Sequence, residues 1–150
     1  MISYTALLVG FCSLLPPTTS AWPIIPPTPP SADPSILPIC NETDPSYSHE
    51  DRKAIFDEVV GTLPKKSKPY YACSLEKLAA EVWKDSQAGK EEFDKQHIQK
   101  FKYKSQVDEF VKAAVNKWDR RFQNNKQKTY MGCYHGKKNN GNSKAVCLFI

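Results

Sequence analysis

The residues of this chain that could do chemistry are three histidines, five cysteines and a few adjacent carboxylates. Their spacing limits what that chemistry is. His49, His97 and His135 stand apart, and none has a partner at a metal-binding spacing such as H-x-x-x-H. His97 lies beside Ile98 and Phe101 and reads as a residue on a helix face. His135 follows Cys133 by two positions, which suggests Cys/His ligation; in an oxidising compartment a hairpin disulfide is the better reading of that cysteine. Nucleophilic catalysis needs a Ser or Cys beside a positioned base, and the chain has no G-x-S-x-G. Glu91-Glu92 and Asp108-Glu109 are carboxylate pairs, but adjacent residues on a helix point apart. They read as solvated faces and caps, and Trp83 and Trp118, on apolar stripes, read as core. No catalytic residue, metal ligand or cofactor is expected.

The elements that would position these residues begin only after a leader. Residues 1–21 have the form of a signal peptide: Thr5–Leu15 is apolar, and Thr19-Ser20-Ala21 is a small-residue cleavage site. The apolar run is shorter than the roughly 20 residues that span a bilayer, so no transmembrane segment is expected after cleavage. Nine of the twelve prolines lie between Pro16 and Pro38. Proline fixes φ and lacks an N–H, so 22–39 is expected to be an extended spacer. Residues 40–150 then form one small domain, secreted and extracellular.

Ser48 and Asp51 look like a capping box, and Ile55, Phe56, Val59, Val60 and Leu63 follow at helical spacing, up to Gly61 and Pro64. After the basic loop Lys65–Pro69, Ser74 opens a second helix with Leu75, Leu78, Ala79, Val82 and Trp83 on one stripe. Residues 90–103 read as a weaker helix. Ser105 and Asp108 look like a second capping box, before a helix carrying Val107, Phe110, Val111, Ala114, Val115, Trp118 and Phe122. Asn124-Asn125 suits its end. Lys128–His135 and Ser143–Ile150 are strand-like, with GKKNNGN between them as a long hairpin loop.

Cys12 leaves with the leader. An even number of cysteines, Cys40, Cys73, Cys133 and Cys147, remains in a secreted domain, which argues for disulfides. Cys133 and Cys147 sit one on each hairpin arm, within reach of each other; that leaves Cys40 with Cys73. Asn41-Glu42-Thr43 is a glycosylation sequon, so Asn41 is expected on the surface of a glycoprotein. Charge is uneven: residues 95–150 hold thirteen Lys/Arg against three Asp/Glu, whereas 1–94 hold eight against thirteen. Such asymmetry suggests an acidic partner. Outside a cell, a heparan-type glycan or anionic lipid fits better than nucleic acid. The candidates are Arg120, Arg121, Lys126, Lys128, Lys137 and Lys138. Arg120 and Arg121 also suit a helix C-terminus, whereas Lys137 and Lys138 stand in a loop with no packing role.

A leading Cys40 before Arg52-Lys53-Ala54-Ile55-Phe56-Asp57-Glu58-Val59-Val60, then Tyr71-Ala72-Cys73-Ser74-Leu75-Glu76-Lys77-Leu78-Ala79, Lys117-Trp118-Asp119-Arg120, Met131-Gly132-Cys133 and Ala145-Val146-Cys147-Leu148-Phe149 stand in an order that resembles the CAP (SCP/TAPS) superfamily. The likeness is to the activation-associated secreted proteins of parasitic nematodes and their reduced relatives. It implies an α+β fold: a reduced α-β-α sandwich with about four helices followed by a C-terminal antiparallel hairpin. The family's polar cavity uses two His and two acidic residues and can bind a divalent metal. Here the first-helix His falls on Val59 and the neighbouring Asn on Val60. A "Gly-His-Tyr-Thr-Gln" block has no room between Trp118 and Gly132. The resemblance therefore implies a secreted, non-catalytic nematode protein acting through its surface on a host protein. The alternative is a glycosaminoglycan- or lipid-binding module using the basic half; a hydrolase is the least favoured.

Overall fold

Ser48 starts the first helix. Its hydroxyl accepts from the Asp51 amide at 3.0 Å and donates to the Asp51 carboxylate at 2.8 Å, so one orphan N–H at the helix start is satisfied and the cap is held in place. The helix, α1 (His49–Thr62), buries Ile55, Phe56 and Val59. The computed structural model describes residues 33–41, 43–64, 68–123 and 128–150; the leader, most of the spacer, Lys65, Lys66, Asn124, Asn125 and Lys126 lie outside them. The elements that follow are β1 (Tyr70–Tyr71), α2 (Cys73–Lys84), α3 (Lys90–Gln96), β2 (Gln99–Ser105), α4 (Phe110–Gln123), β3 (Tyr130–Lys137) and β4 (Ser143–Phe149).

The strands form one sheet in the order β1-β3-β4-β2. β1 runs parallel to β3, and β4 is antiparallel to both β3 and β2. Alternation along β4 divides the core in two, as a strand must when both its faces are covered. Ala145, Cys147 and Phe149 pack with α1 and α4, whereas Val146 and Leu148 pack with α2. The architecture is α-β-α: α1 and α4 on one face, α2 on the other. Disulfides join Cys40 to Cys73 and Cys133 to Cys147. The second links directly opposed residues of β3 and β4.

Four expectations are corrected. Residues 90–103 are not one helix. α3 ends at His97, which caps it in the left-handed conformation with φ 53°, and the chain leaves as a strand. Phe101 and Tyr103 then face the α1/α4 core, a period of two where a helical spacing was expected. The sheet consequently has four strands, with the hairpin at its centre. Ser105 ends β2 opposite Ser143 rather than capping α4, whose first turn follows Glu109 at φ 51°; Val107 is exposed and outside the apolar stripe. Lys137 is the last residue of β3, paired with Ser143, and not part of the loop. Lastly, in α2 the flanking residue is Ala72, with no side-chain cap, so the helix starts at Cys73, one residue before Ser74.

Gly132 sets how closely α2 meets the sheet. A Cβ there would lie 2.6 Å from Leu75 Cβ and 2.5 Å from the Leu75 carbonyl carbon, and closer still to the Glu76 nitrogen. Backbone cannot yield as a side-chain tip can. Gly132→Ala is expected to cost at least about 1–3 kcal/mol, the usual range for overpacking, read as a lower urea midpoint with an unchanged slope. An alanine variant as stable as the parent would show that α2 is free to lift.

Candidate functional site

Two polar constellations emerge from the packing. The first is buried. Arg52, in the first turn of α1, and Glu76, in the first turn of α2, are 3% and 0% exposed. Arg52 donates to both Glu76 oxygens, from Nε at 2.5 Å and from Nη2 at 2.8 Å, the bidentate geometry that makes such pairs strong. Nη2 also donates to the Cys40 carbonyl at 3.4 Å. The Tyr71 hydroxyl donates to Glu76 Oε2 at 2.5 Å and accepts from the Cys133 amide at 3.4 Å. Tyr47 lies under the guanidinium, its ring centroid 5.5 Å from Arg52 Cζ. The node thereby ties α1, β1, α2 and β3 together. Burial first, and then the Glu76 charge, pushes the Tyr71 and Tyr47 phenols well above the usual tyrosine range. The Glu76 hydrogen bond holds Arg52 above its ordinary value. Glu76 and the Tyr71 hydroxyl are engaged internally, whereas the buried Tyr47 hydroxyl has no hydrogen-bond partner; the node is structural.

The second constellation is an open cleft of about 1320 Å³ at the hairpin end of the sheet, between α1, the start of α4 and the β3–β4 turn. Asp51, Asp57, Glu58, Glu109, Lys112 and Lys137 are among its lining residues; Asp57 pairs with Lys53 on α1, and Glu109 with Lys112 at 3.4 Å. His135 stands in its wall, with Nε2 3.0 Å from the Asp51 carbonyl. A carbonyl only accepts, so Nε2 carries the proton and cannot act there as a base. Tyr134, also in the wall, donates to Asp44 Oδ2 at 3.1 Å; burial and that carboxylate push its phenol up to about 12. Among the described residues, no group of three or more His, Cys, Asp or Glu side chains is placed to hold a metal ion. The donor set among the described residues does not fit a divalent metal. Val59, where the resemblance would put a histidine, is fully buried in the core.

The structure does not gather the five described basic candidates into one patch. Arg120 and Arg121 end α4, and Arg121 stacks 5.7 Å from the Phe101 ring centroid. Lys128 precedes β3, and Lys137 ends it, so those two lie roughly 25–30 Å apart at about 3.4 Å per residue. Lys138 does have a packing role, its Nζ 5.4 Å from the Trp83 ring centroid. Lys126 lies outside the described residues. Of the histidines, His49 is exposed at the start of α1 and His97 is exposed at the end of α3. His135 in the cleft was missed, although a signal existed: it shares a strand face with Cys133, two residues earlier, and that face meets α1. Asn41 is exposed, as a glycan acceptor must be, while Thr43 is buried.

Residues 40–149 match the family described as Ancylostoma-associated secreted protein related. No curated protein matches the chain. Two solved structures share the fold: the Ancylostoma-secreted protein Ac-ASP-7, and the same protein described as manganese-bound. Each has a TM-score of 0.53 and 14% identity, over 76% of this chain and 73% of the other. Among the described residues, no helix is long and apolar enough to cross a membrane.

Proposed function

The chain belongs to the Ancylostoma-associated secreted protein related family, and from that premise we propose that it is a secreted, non-catalytic protein of a parasitic nematode that contacts a host protein through the open cleft. Residues 1–21 act as the signal peptide, 22–39 as the spacer and 40–150 as the reduced domain; the family match beginning at Cys40 supports that boundary. Asn41 carries a glycan. The observation that carries the reading is the fate of α1. Its Val59 is turned into the core, and the side chains it offers the cleft are the carboxylates of Asp51, Asp57 and Glu58. With Asp51, Asp57, Glu58 and Glu109 among its lining residues, the cleft presents charge for recognition. One structural relative is described as manganese-bound; the purified chain is expected to take up no stoichiometric manganese.

The test uses the tagged full chain on host epithelial cells. Saturable, protease-sensitive binding is expected, and Asp57→Lys with Glu58→Lys is expected to weaken it by about tenfold or more, because both charges face the contact. Equal binding by parent and variant would remove the cleft from the reading. Turnover of ester or peptide substrates by the purified chain, or stoichiometric manganese in a titration, would remove the non-catalytic reading.

A further inference from the structure

The corrected strand β2 reads Gln-Lys-Phe-Lys-Tyr-Lys-Ser. Phe101 and Tyr103 belong to the core on the α1/α4 side. Lys100, Lys102 and Lys104 therefore all project from the opposite face, about 7 Å apart and about 14 Å end to end. β2 is an edge strand, and α2 packs over β3 and β4, so the lysine row flanks that helix. Lys104 stands directly across from Lys144 of β4, and Lys138 and Lys144 flank Trp83, with Nζ 5.4 and 6.0 Å from its ring centroid. Lys144 Nζ is anchored on the last turn of α2, donating to the Val82 and Trp83 carbonyls at 3.1 and 2.6 Å. Lys100 Nζ lies 4.5 Å from the Phe93 ring centroid. Five cations thus form one band, three of them held by a ring or a carbonyl, and among the described residues none of the five is in an ion pair.

The fold alone does not account for this band. Lysines on an edge strand guard against pairing with another sheet, which would explain β2. Lys144 caps the last carbonyls of α2, yet it stands directly opposite Lys104, and like charges so placed cost stability. Burial, followed by the neighbouring lysines, holds Lys102 and Lys144 below the usual lysine range; Asp85 opposes this. An anion laid along the band would relieve that repulsion.

We propose that Lys100, Lys102 and Lys104, continued by Lys144 and Lys138, form the docking surface for a linear sulfated polysaccharide. The choice follows from the surface. A straight row of evenly spaced charges suits a chain that carries its anions along its length. An all-lysine set offers point charges without a bidentate fork, so it binds by charge density rather than by recognising one group. No exposed large apolar side chain lies on the strand for insertion into lipid: the three among the described residues are Ile36, Ile39 and Val107. The disulfides place the chain in an oxidising compartment, where sulfated glycans are the linear polyanions at hand. The proposal deepens the glycosaminoglycan alternative and does not rest on the cleft.

The test is heparin binding by the purified full chain. Lys102→Glu with Lys104→Glu is expected to lower affinity about tenfold or more and to flatten the dependence of log affinity on log salt, since fewer counterions are released. Heparin should raise the melting temperature of the parent and not of this variant. The charge-matched control is Lys68→Glu with Lys117→Glu, both exposed, one beside β1 at the far edge and one on α4. It is expected to keep nearly all of the affinity. Equal loss in the two variants means net charge alone and overturns the proposal, as does a β2 variant that elutes with the parent. Binding to vesicles of phosphatidylserine and phosphatidylcholine that heparin fails to displace would overturn the choice of polysaccharide. Heparin retention lost in the β2 variant while host-cell binding persists would leave the cleft reading standing, so the two can fail separately.

Discussion

Arg52→Met is expected to lower folding stability by about 3–5 kcal/mol, because it strands the Glu76 carboxylate in a site with no access to water. Both side chains are essentially buried, 4% and 0% exposed, so solvent screening does not soften the loss. Glu76→Met should cost a similar amount by stranding the guanidinium, whose other partner is the Cys40 carbonyl at 3.4 Å. The double variant, Arg52→Met with Glu76→Met, removes both charges together. It should be more stable than either single variant, since replacing a buried pair by apolar groups is often close to neutral. Tyr71 would still have the Cys133 carbonyl, 3.0 Å from its hydroxyl. Urea denaturation of the four proteins checks this. Single variants within about 1 kcal/mol of the parent would show that water reaches the pair, and a double variant as unstable as the sum of the singles would show that the two residues act independently.

Removing the disulfide between Cys40 and Cys73 is expected to cost about 4 kcal/mol, and removing the one between Cys133 and Cys147 about 3 kcal/mol, from loop-closure entropy. The difference follows from sequence separations of 33 and 14. Small domains have roughly 5–15 kcal/mol in all, so the first alanine pair should leave the fold marginal at body temperature. The damage should also spread, since Cys40 anchors the backbone carbonyl that Arg52 uses. Thermal unfolding of the two paired variants gives the ranking. A Cys40→Ala, Cys73→Ala protein that melts with the parent would mean the link constrains little in the unfolded chain. A non-reducing peptide map with Cys40 joined to Cys133 or Cys147 would contradict the pairing itself.

Much of this was legible in the residues. The stripes of α1, α2 and α4 and the two β-arms carry their own periods, and Ser48 announces its helix. β2 was not legible, for a specific reason. Phe93, Ile98 and Phe101 can be laid on a helix, and the break depends on His97 adopting a left-handed conformation that nothing in its side chain requires. Lys100, Lys102 and Lys104 do alternate with apolar and aromatic residues, but a three-residue alternation is too short to stand against an apparent helix. β1 is two residues long, too short for a period, and exists because β3 lies beside it. The cleft draws on α1, α4 and the hairpin, which only the folded chain brings together, and its opposing charges have no spacing by which to be found.

The position of β4 fixes when any of this can exist. It is the last element in chain order, yet it lies at the centre of the sheet, between β3 and β2. As the polypeptide is synthesised, α1 can pack on α4 and α2 on β3, but β2 has no strand to pair with until residues 143–149 arrive. Contacts this distant in sequence form late and slowly, and uncovered surface in the interval invites aggregation. Of the four disulfide cysteines, Cys40 and Cys73 are made well before Cys133 and Cys147, so the order of synthesis itself favours their pairing with each other.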